Sequence, residues 1–122
     1  MLSCLDAENR YLTTPSSVDF YLMQGSIEDH ASNLPLAVTK CRQMVDNLRY
    51  LVGMEALFAS QAVDLRKSDD NGDYVHLGKG TQKAYDVLRA VVPEMKSNRS
   101  VYDDINKAYQ LVLEEKFLAD GE

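Results

Sequence analysis

Apolar side chains recur at helical spacing along one unusually long stretch of this chain. Between Leu34 and Arg66 there is one proline, Pro35, and one glycine, Gly53. Apolar positions follow one another in alternating steps of four and three residues, a spacing that predicts one continuous helix with a heptad-like seam. The seam comprises Leu34, Val38, Cys41, Val45, Leu48 and Val52, is broken at Glu55, and resumes at Ala59 and Ala62.

The predicted helix carries more apolar surface than this chain can cover. A second stripe runs through Met44, Leu51, Met54, Phe58 and Leu65, and from Leu51 to Val63 nearly every position is apolar or small. A helix that is apolar all round is buried all round. About 32 residues reach roughly 48 Å, whereas a compact chain of this length has a radius of gyration of roughly 14 Å. We therefore expect self-association through the helix, over Leu34–Leu65.

Shorter elements flank the long helix on both sides. The pattern predicts a short helix over 1–12, a break over 13–17, an irregular and largely buried loop over 18–27, a polar turn over 68–73, a helix from Gly80 or Thr81 to Val92, and a last helix from Ser100 to near Gly121. The predicted fold class is all-α: one helical domain over 1–122, with a long central helix over about 34–66 bundled with two or three shorter ones in an oligomer.

Composition and charge exclude several classes of function. The net charge is −6, which argues against a nucleic-acid partner and against anionic membranes. The sequence shows no signal peptide, and its most apolar stretch is too short to span a bilayer. Cys4 and Cys41 form no C-x-x-C motif, so we expect a cytoplasmic protein, with Cys41 a small buried core residue.

The first candidate for chemistry is the run Glu28, Asp29 and His30 at the mouth of the long helix. Local sequence leaves two interpretations open. Acids favour the positive N-terminal end of a helix dipole, so the run could be a polar helix start. A carboxylate beside an imidazole could equally transfer a proton or bind substrate. Adjacent residues rarely converge on one ion, so we predict no metal here.

Other ionisable residues are weaker candidates. Glu55 falls where both apolar stripes run, so we expect it to need a cationic or hydrogen-bonding partner, in a structural ion pair more than as the floor of a site. His76 is predicted to be an ordinary surface histidine. The polar run from Ser68 to Asp73 is similar to a calcium loop, but Gly72 is at the wrong offset and Gly80 stands where the bidentate glutamate belongs.

An ordered series of short motifs resembles the C-terminal part of histidine ammonia-lyase and the wider aromatic amino-acid lyase family. The resemblance covers almost the whole chain. The motifs are Ala7-Glu8-Asn9, Pro15-Ser16-Ser17-Val18-Asp19, Glu28-Asp29-His30, Gln61-Ala62-Val63-Asp64-Leu65-Arg66, Leu77-Gly78-Lys79-Gly80-Thr81, Leu88-Arg89-Ala90-Val91-Val92-Pro93 and Tyr102-Asp103-Asp104-Ile105.

The resemblance implies a specific chemistry. The family eliminates ammonia from an amino acid to give a 2,3-unsaturated acid, such as urocanate from histidine. Its electrophile is a methylidene-imidazolone made from an internal Ala-Ser-Gly, and its active sites are shared among the subunits of a tetramer with a central helical bundle. By the resemblance, Glu28 is a pocket carboxylate that positions substrate or handles a proton, with Asp29 and His30 as weaker substrate-binding candidates. By the same resemblance, the sequence Glu28-Asp29-His30 favours the histidine-specific branch of the family over the phenylalanine-specific branch.

Two departures from the family pattern limit that implication. No Ala-Ser-Gly occurs; Ala31-Ser32-Asn33 and Ala59-Ser60-Gln61 come nearest. The electrophile would therefore come from an N-terminal lyase segment, and we expect this chain alone to be inactive. Ile27 replaces the family's glutamine before Glu28, which removes a hydrogen-bonding group from the presumed pocket. The alternatives are a stand-alone helical interaction module derived from a lyase, and part of a related aminomutase.

Overall fold

The computed structural model describes residues 1–18, 33–69 and 75–118, and these form helices and connecting turns without a strand. This confirms the predicted all-α class with a long helix packed against shorter ones. The elements are α1 (Leu2–Leu12), a 3-10 turn (Ser16–Val18), α2 (Leu34–Asp69), α3 (Lys79–Arg89) and α4 (Tyr102–Leu113). They belong to two compact units, Met1–Leu48 and Arg49–Glu122. One domain over 1–122 stays a prediction.

In the first unit, polar side chains fasten α1 to the first half of α2. The Asn47 side chain, on α2 and only 3% exposed, donates from Nδ2 to Asn9 Oδ1 on α1 at 3.0 Å. Gln43, one turn earlier, donates to Asn47 Oδ1 at 3.1 Å. A buried carboxamide needs partners for both its ends, and Asn47 has them. The predicted break after α1 is also present, since α1 ends at Leu12.

In the second unit, α3 and α4 cover one side of α2. The core is the buried cluster Leu88, Val92 and Ala108, with Ala56, Leu57, Leu111 and Phe117 packed against it. α2 approaches α4 closely at Gly53, where a Cβ atom would lie 3.1 Å from the backbone of Ala108 and Tyr109. A Cβ atom there would press on the backbone of α4, so glycine allows the two helices to approach each other this closely. Beside that contact, the Tyr50 and Tyr109 rings stack with centroids 4.2 Å apart.

Helix ends differ from the predictions in three helices. α3 ends at Arg89 instead of Val92. α2 continues through Asp69, so the polar turn begins later than predicted, and residues 70–73 of it lie outside the described part of the chain. α4 ends at Leu113 instead of near Gly121, because the chain reverses at Glu115, which has φ 56°. The Lys116 amide donates to the Leu111 carbonyl and the Glu115 amide to the Val112 carbonyl. These two bonds are those of a Schellman motif, which stops a helix.

The heptad-like seam of α2 lies on the solvent side in both units. Every seam position is exposed in this chain: Leu34, Val38, Cys41, Val45 and Leu48 in the first unit, and Val52, Glu55, Ala59 and Ala62 in the second. The expectation of a buried Cys41 is therefore wrong for this chain, because α1 covers another face. Glu55 is also exposed in this chain, so a cationic or hydrogen-bonding partner for its carboxylate stays a prediction. The stretch Leu51–Val63 is covered on one side only, because α3 and α4 pack against that side and leave the seam side exposed.

Candidate functional site

The predicted site residues Glu28, Asp29 and His30 lie outside the described residues, as does Ile27. The structure does describe both flanks of that segment, which are Val18 at the end of the 3-10 turn and Asn33 just before α2. Asn33 Nδ2 donates to the Ser16 carbonyl oxygen at 3.1 Å. The segment with the predicted carboxylate therefore leaves and rejoins the described fold next to a hydrogen bond between its two flanks.

A further contact fastens the same flank to α2. Lys40 Nζ donates to the Thr14 carbonyl oxygen, between the end of α1 and the 3-10 turn. Together with the Asn9–Asn47 bond and the Ser16–Asn33 bond, this makes three ties that follow one another along α2. We call these three hydrogen bonds the flank ladder. It holds the chain before the predicted site against the helix that follows the site.

The second unit contains a buried charged cluster that sequence reasoning did not single out. Asp64 of α2 accepts from Arg89 Nη2 of α3 at 2.5 Å, with the two side chains 8% and 14% exposed. The Tyr85 hydroxyl donates to the other carboxylate oxygen of Asp64. Arg89 Nη1 also donates to the Val92 carbonyl at 3.2 Å, and Lys67 Nζ lies 4.2 Å from the centre of the Tyr85 ring.

The charges of this cluster are compensated internally, which favours a structural role. Each oxygen of Asp64 has a donor, and the Arg89 guanidinium has a carboxylate and a carbonyl. Breaking such a pair leaves a buried charge alone, so the cluster fixes α3 on α2. Asp64 and Arg89 occur in the motifs of the family resemblance, but only the fold brings them together. The sequence feature that could have revealed this cluster is Asp64 itself, an acid at the end of a nearly all-apolar stretch of helix.

A second Arg–Asp pair holds the connection between α3 and α4. Arg99 Nη2 donates to Asp104 Oδ2 at 2.6 Å, and the same nitrogen donates to the Pro93 carbonyl at 3.0 Å. A groove of about 170 Å³ lies beside this pair and beside Arg89. Its lining is mainly apolar, from α2, the 92–101 connection and α4: Met54, Leu57, Phe58, Gln61, Arg89, Val92, Pro93, Met95, Arg99, Val101, Asp104 and Ile105.

Neither a cluster of metal-ligand side chains among the described residues nor a precursor of the family's electrophile in the sequence is found. No group of three or more His, Cys, Asp or Glu side chains converges among them, and His76 is exposed, as predicted. A methylidene-imidazolone requires cyclisation of Ala-Ser-Gly, which is absent from all 122 residues. Ala59-Ser60-Gln61 lies inside α2, where the helical backbone cannot cyclise and Ser60 is only 6% exposed. The residues present do not fit this group.

No helix in the described part of the chain is long and apolar enough to cross a membrane. α2 has the length, but charged residues recur along it, among them Lys40, Arg42 and Asp46.

Comparison with known proteins gives this helical segment its family. A profile of the aromatic amino acid lyases matches residues 2–90. Histidine ammonia-lyase 1 of Fusobacterium nucleatum is 33% identical over 97% of this chain and 22% of its own length. Histidine ammonia-lyase of Alkaliphilus metalliredigens is 35% identical, with the same two coverages, 97% and 22%. The chain belongs to the aromatic amino acid lyase family.

A solved structure extends the similarity to the fold. The ergothioneine-degrading enzyme ergothionase of Treponema denticola, crystallised with desmethyl-ergothioneine sulfonic acid, superposes with a TM-score of 0.83. It is 47% identical to this chain, over 95% of this chain and 22% of that protein. The chain thus spans about a fifth of the length of the relatives it matches.

Proposed function

We propose that this chain forms part of a carbon–nitrogen lyase that acts on an imidazole-bearing amino acid, and that this amino acid is ergothioneine. The observation that carries this choice is the difference in identity: 47% to the ergothionase against 33% and 35% to the two histidine ammonia-lyases. The reaction breaks the bond between Cα and nitrogen and removes a proton from Cβ. The amine leaves, and a 2,3-unsaturated acid conjugated with the ring remains.

Ile27 agrees with ergothioneine as the substrate. The nitrogen of ergothioneine carries three methyl groups, so it offers no N–H to a hydrogen-bonding side chain. An apolar residue in place of the family's glutamine suits such a leaving group better than a free amine, because a polar group without a partner costs free energy in a closed pocket. Histidine is the second candidate substrate, favoured by the Glu28-Asp29-His30 form and by the histidine ammonia-lyase relatives.

In this proposal Glu28 supplies a carboxylate to a pocket whose electrophile comes from elsewhere. The carboxylate positions the substrate or accepts a proton, and Asp29 and His30 are weaker candidates for substrate binding. Since no Ala-Ser-Gly occurs in these 122 residues, the isolated chain is inactive on both substrates. Turnover of either one by the pure chain, followed by the absorbance of the conjugated product, would contradict this part.

A chimera tests the substrate. The matching segment of the Treponema denticola ergothionase is exchanged for this chain, and turnover of ergothioneine and histidine is measured. We expect activity on ergothioneine and little on histidine; the reverse preference would favour histidine, and inactivity of a correctly folded chimera would refute the lyase assignment. Glu28→Gln should reduce kcat by about 100-fold or more, which is the typical contribution of acid–base groups. Glu8→Gln, at an exposed position of α1, is the matched control.

We also propose that α2 joins this chain to further copies through its exposed seam. The large apolar residues Val45, Leu48 and Val52 are 44%, 49% and 46% exposed, and such surfaces mark interaction sites. Two free cysteines report on this directly. Cys41 lies on the seam and Cys4 on α1, and both are exposed in this chain. Maleimide labelling of Cys41 should slow as protein concentration rises, while Cys4 stays reactive; equal labelling at all concentrations, together with a monomeric mass by light scattering, would refute self-association.

A further inference from the structure

Two side chains of opposite charge stand on the exposed seam side of α2. Glu55 is a seam position, and Arg42 directly follows the seam position Cys41. Both are exposed in this chain, and neither has an ion-pair partner among the described residues. The other seam positions from Leu34 to Ala62 are apolar or small. A partner that covers the seam must therefore also supply a positive group for Glu55, because a carboxylate that is covered without a partner costs free energy.

The two charges are placed almost symmetrically about the middle of the seam. Its ends, Leu34 and Ala62, each lie 14 residues from Leu48, while Arg42 lies 6 residues before Leu48 and Glu55 lies 7 residues after it. A second copy of α2 that runs in the opposite direction and is centred at Leu48 therefore overlaps the whole seam. The same alignment sets Glu55 of each copy beside Arg42 of the other. The apolar overlap and the charge pairing thus require one and the same register.

A parallel second copy in register would cover the same apolar surface but oppose like charges. It would place the two Glu55 carboxylates against each other, and like charges set together across an interface are strongly unfavourable. The alternation of valine and leucine along a seam suits parallel pairs, but Cys41 and Glu55 replace leucine at two positions of this one. The apolar residues alone therefore do not select a direction, and the charges select the antiparallel one.

We propose that a second copy of this chain binds antiparallel along the seam, with Glu55 of each copy paired to Arg42 of the other. The proposal rests on the self-association proposed above and adds its direction and its polar contacts. At the centre of the pair, the exposed Val45 of one copy lies against the exposed Val52 of the other. The two symmetric ion pairs give Glu55 the cationic partner that the sequence predicts for it.

Substitutions at the two charges distinguish the directions by the sign of their effect on the dissociation constant of the pair, measured by analytical ultracentrifugation. Glu55→Gln should raise this constant by about fivefold through the loss of two partly exposed ion pairs, whereas in a parallel pair it would lower the constant by relieving repulsion. Glu55→Arg should raise it by about 10-fold or more, and Arg42→Glu in the same chain should restore it to within about threefold of the parent. Glu8→Arg, at an exposed position of α1, changes the net charge equally and should leave the constant within about twofold.

Oxidation of Cys41 tests the direction independently. In the antiparallel alignment Cys41 lies beside position 56 of the second copy, so the two Cys41 residues are about 15 residues, or roughly 22 Å, apart along the helices. A disulfide spans Cα atoms no more than about 7 Å apart, so mild oxidation of the Cys4→Ser variant should give no linked dimer. A Cys41–Cys41 disulfide, or a double charge variant no tighter than Glu55→Arg, would overturn the antiparallel pair and leave self-association standing. A chain that stays monomeric at every concentration would refute both.

Discussion

Removal of the negative charge from Asp64 should destabilise the chain far more than the same change at the surface. The carboxylate is 8% exposed, and its oxygens accept from Arg89 at 2.5 Å and from Tyr85. Asp64→Asn preserves the volume but leaves the Arg89 guanidinium buried without a counter-charge. Removing one partner of a buried pair costs about 3–5 kcal/mol. We expect about 3 kcal/mol, because the carboxamide oxygen and the Val92 carbonyl still accept from Arg89.

Thermal unfolding followed by circular dichroism measures this loss. A change of 1 kcal/mol moves the Tm of a domain of this size by about 4 °C, so Asp64→Asn should lower Tm by about 12 °C. The control is Asp6→Asn, which removes the same charge from the exposed pair of Asp6 with Arg10, whose side chains are 57% and 80% exposed. Exposed pairs within one helix contribute about 0.5 kcal/mol or less, so Tm should fall by about 2 °C or less.

A double variant separates the ion pair from local packing. Replacing Arg89 by Met in the Asp64→Asn background removes the uncompensated charge and keeps an apolar side chain of similar length. A buried charge without a counter-charge is the main cost of breaking such a pair, so the double variant, which has no such charge, should be more stable than Asp64→Asn alone. Equal Tm values for Asp64→Asn and Asp6→Asn, or a double variant whose losses simply add, would refute the assignment of a buried, coupled pair.

Substitutions at three further positions, Gly53, Glu115 and Arg99, test a close helix contact, a helix end and an ion pair. Gly53→Ala should destabilise by about 1–3 kcal/mol through overpacking against Ala108, whereas Gly80→Ala, with nothing within 4 Å, should stabilise slightly; equal Tm values would contradict the close approach of α2 and α4. Glu115→Gly should raise the unfolding free energy by about 1 kcal/mol by relieving its φ of 56°, and a urea titration that shows a loss would count against the Schellman end. Arg99→Met should cost about 2 kcal/mol through the loss of charged hydrogen bonds, with Arg99→Lys intermediate, and a lysine variant no better than methionine would contradict that contribution.

The spacing of apolar residues was sufficient to predict the helices in which that spacing is regular. The seam that begins at Leu34 predicts the start of α2 correctly. Among the regular secondary structures, only a helix places residues with four–three spacing on one face. The end of α4 could not be predicted in the same way. A Schellman motif normally shows a glycine at its left-handed position, but here that position is Glu115, so the sequence contains no stop signal.

The spacing of apolar residues could not predict which side chains of different helices contact each other. Asp64 and Arg89 meet because α3 folds back onto one face of α2, and periodicity does not specify which face a neighbour covers. Two apolar stripes were visible on α2. The neighbours supplied by this chain bury Met54 on the second stripe and leave the seam exposed. The expectation of a buried Cys41 failed for that reason, since it assumed that the more regular stripe would be the internal one.

The seam also bears on how the proposed site should be tested. The chain's own helices cover the side of α2 that contacts Leu88 and Ala108, while the seam stays in water from Leu34 to Ala62. Apolar surface of this extent is costly to expose, so a partner that covers it would stabilise the helix that carries the Asn33 end of the flank ladder. If further copies are that partner, dilution should weaken both the cysteine protection on the seam and the activity of the chimera. A chimera that keeps full activity as a monomer would separate the two proposals and leave the site independent of the seam.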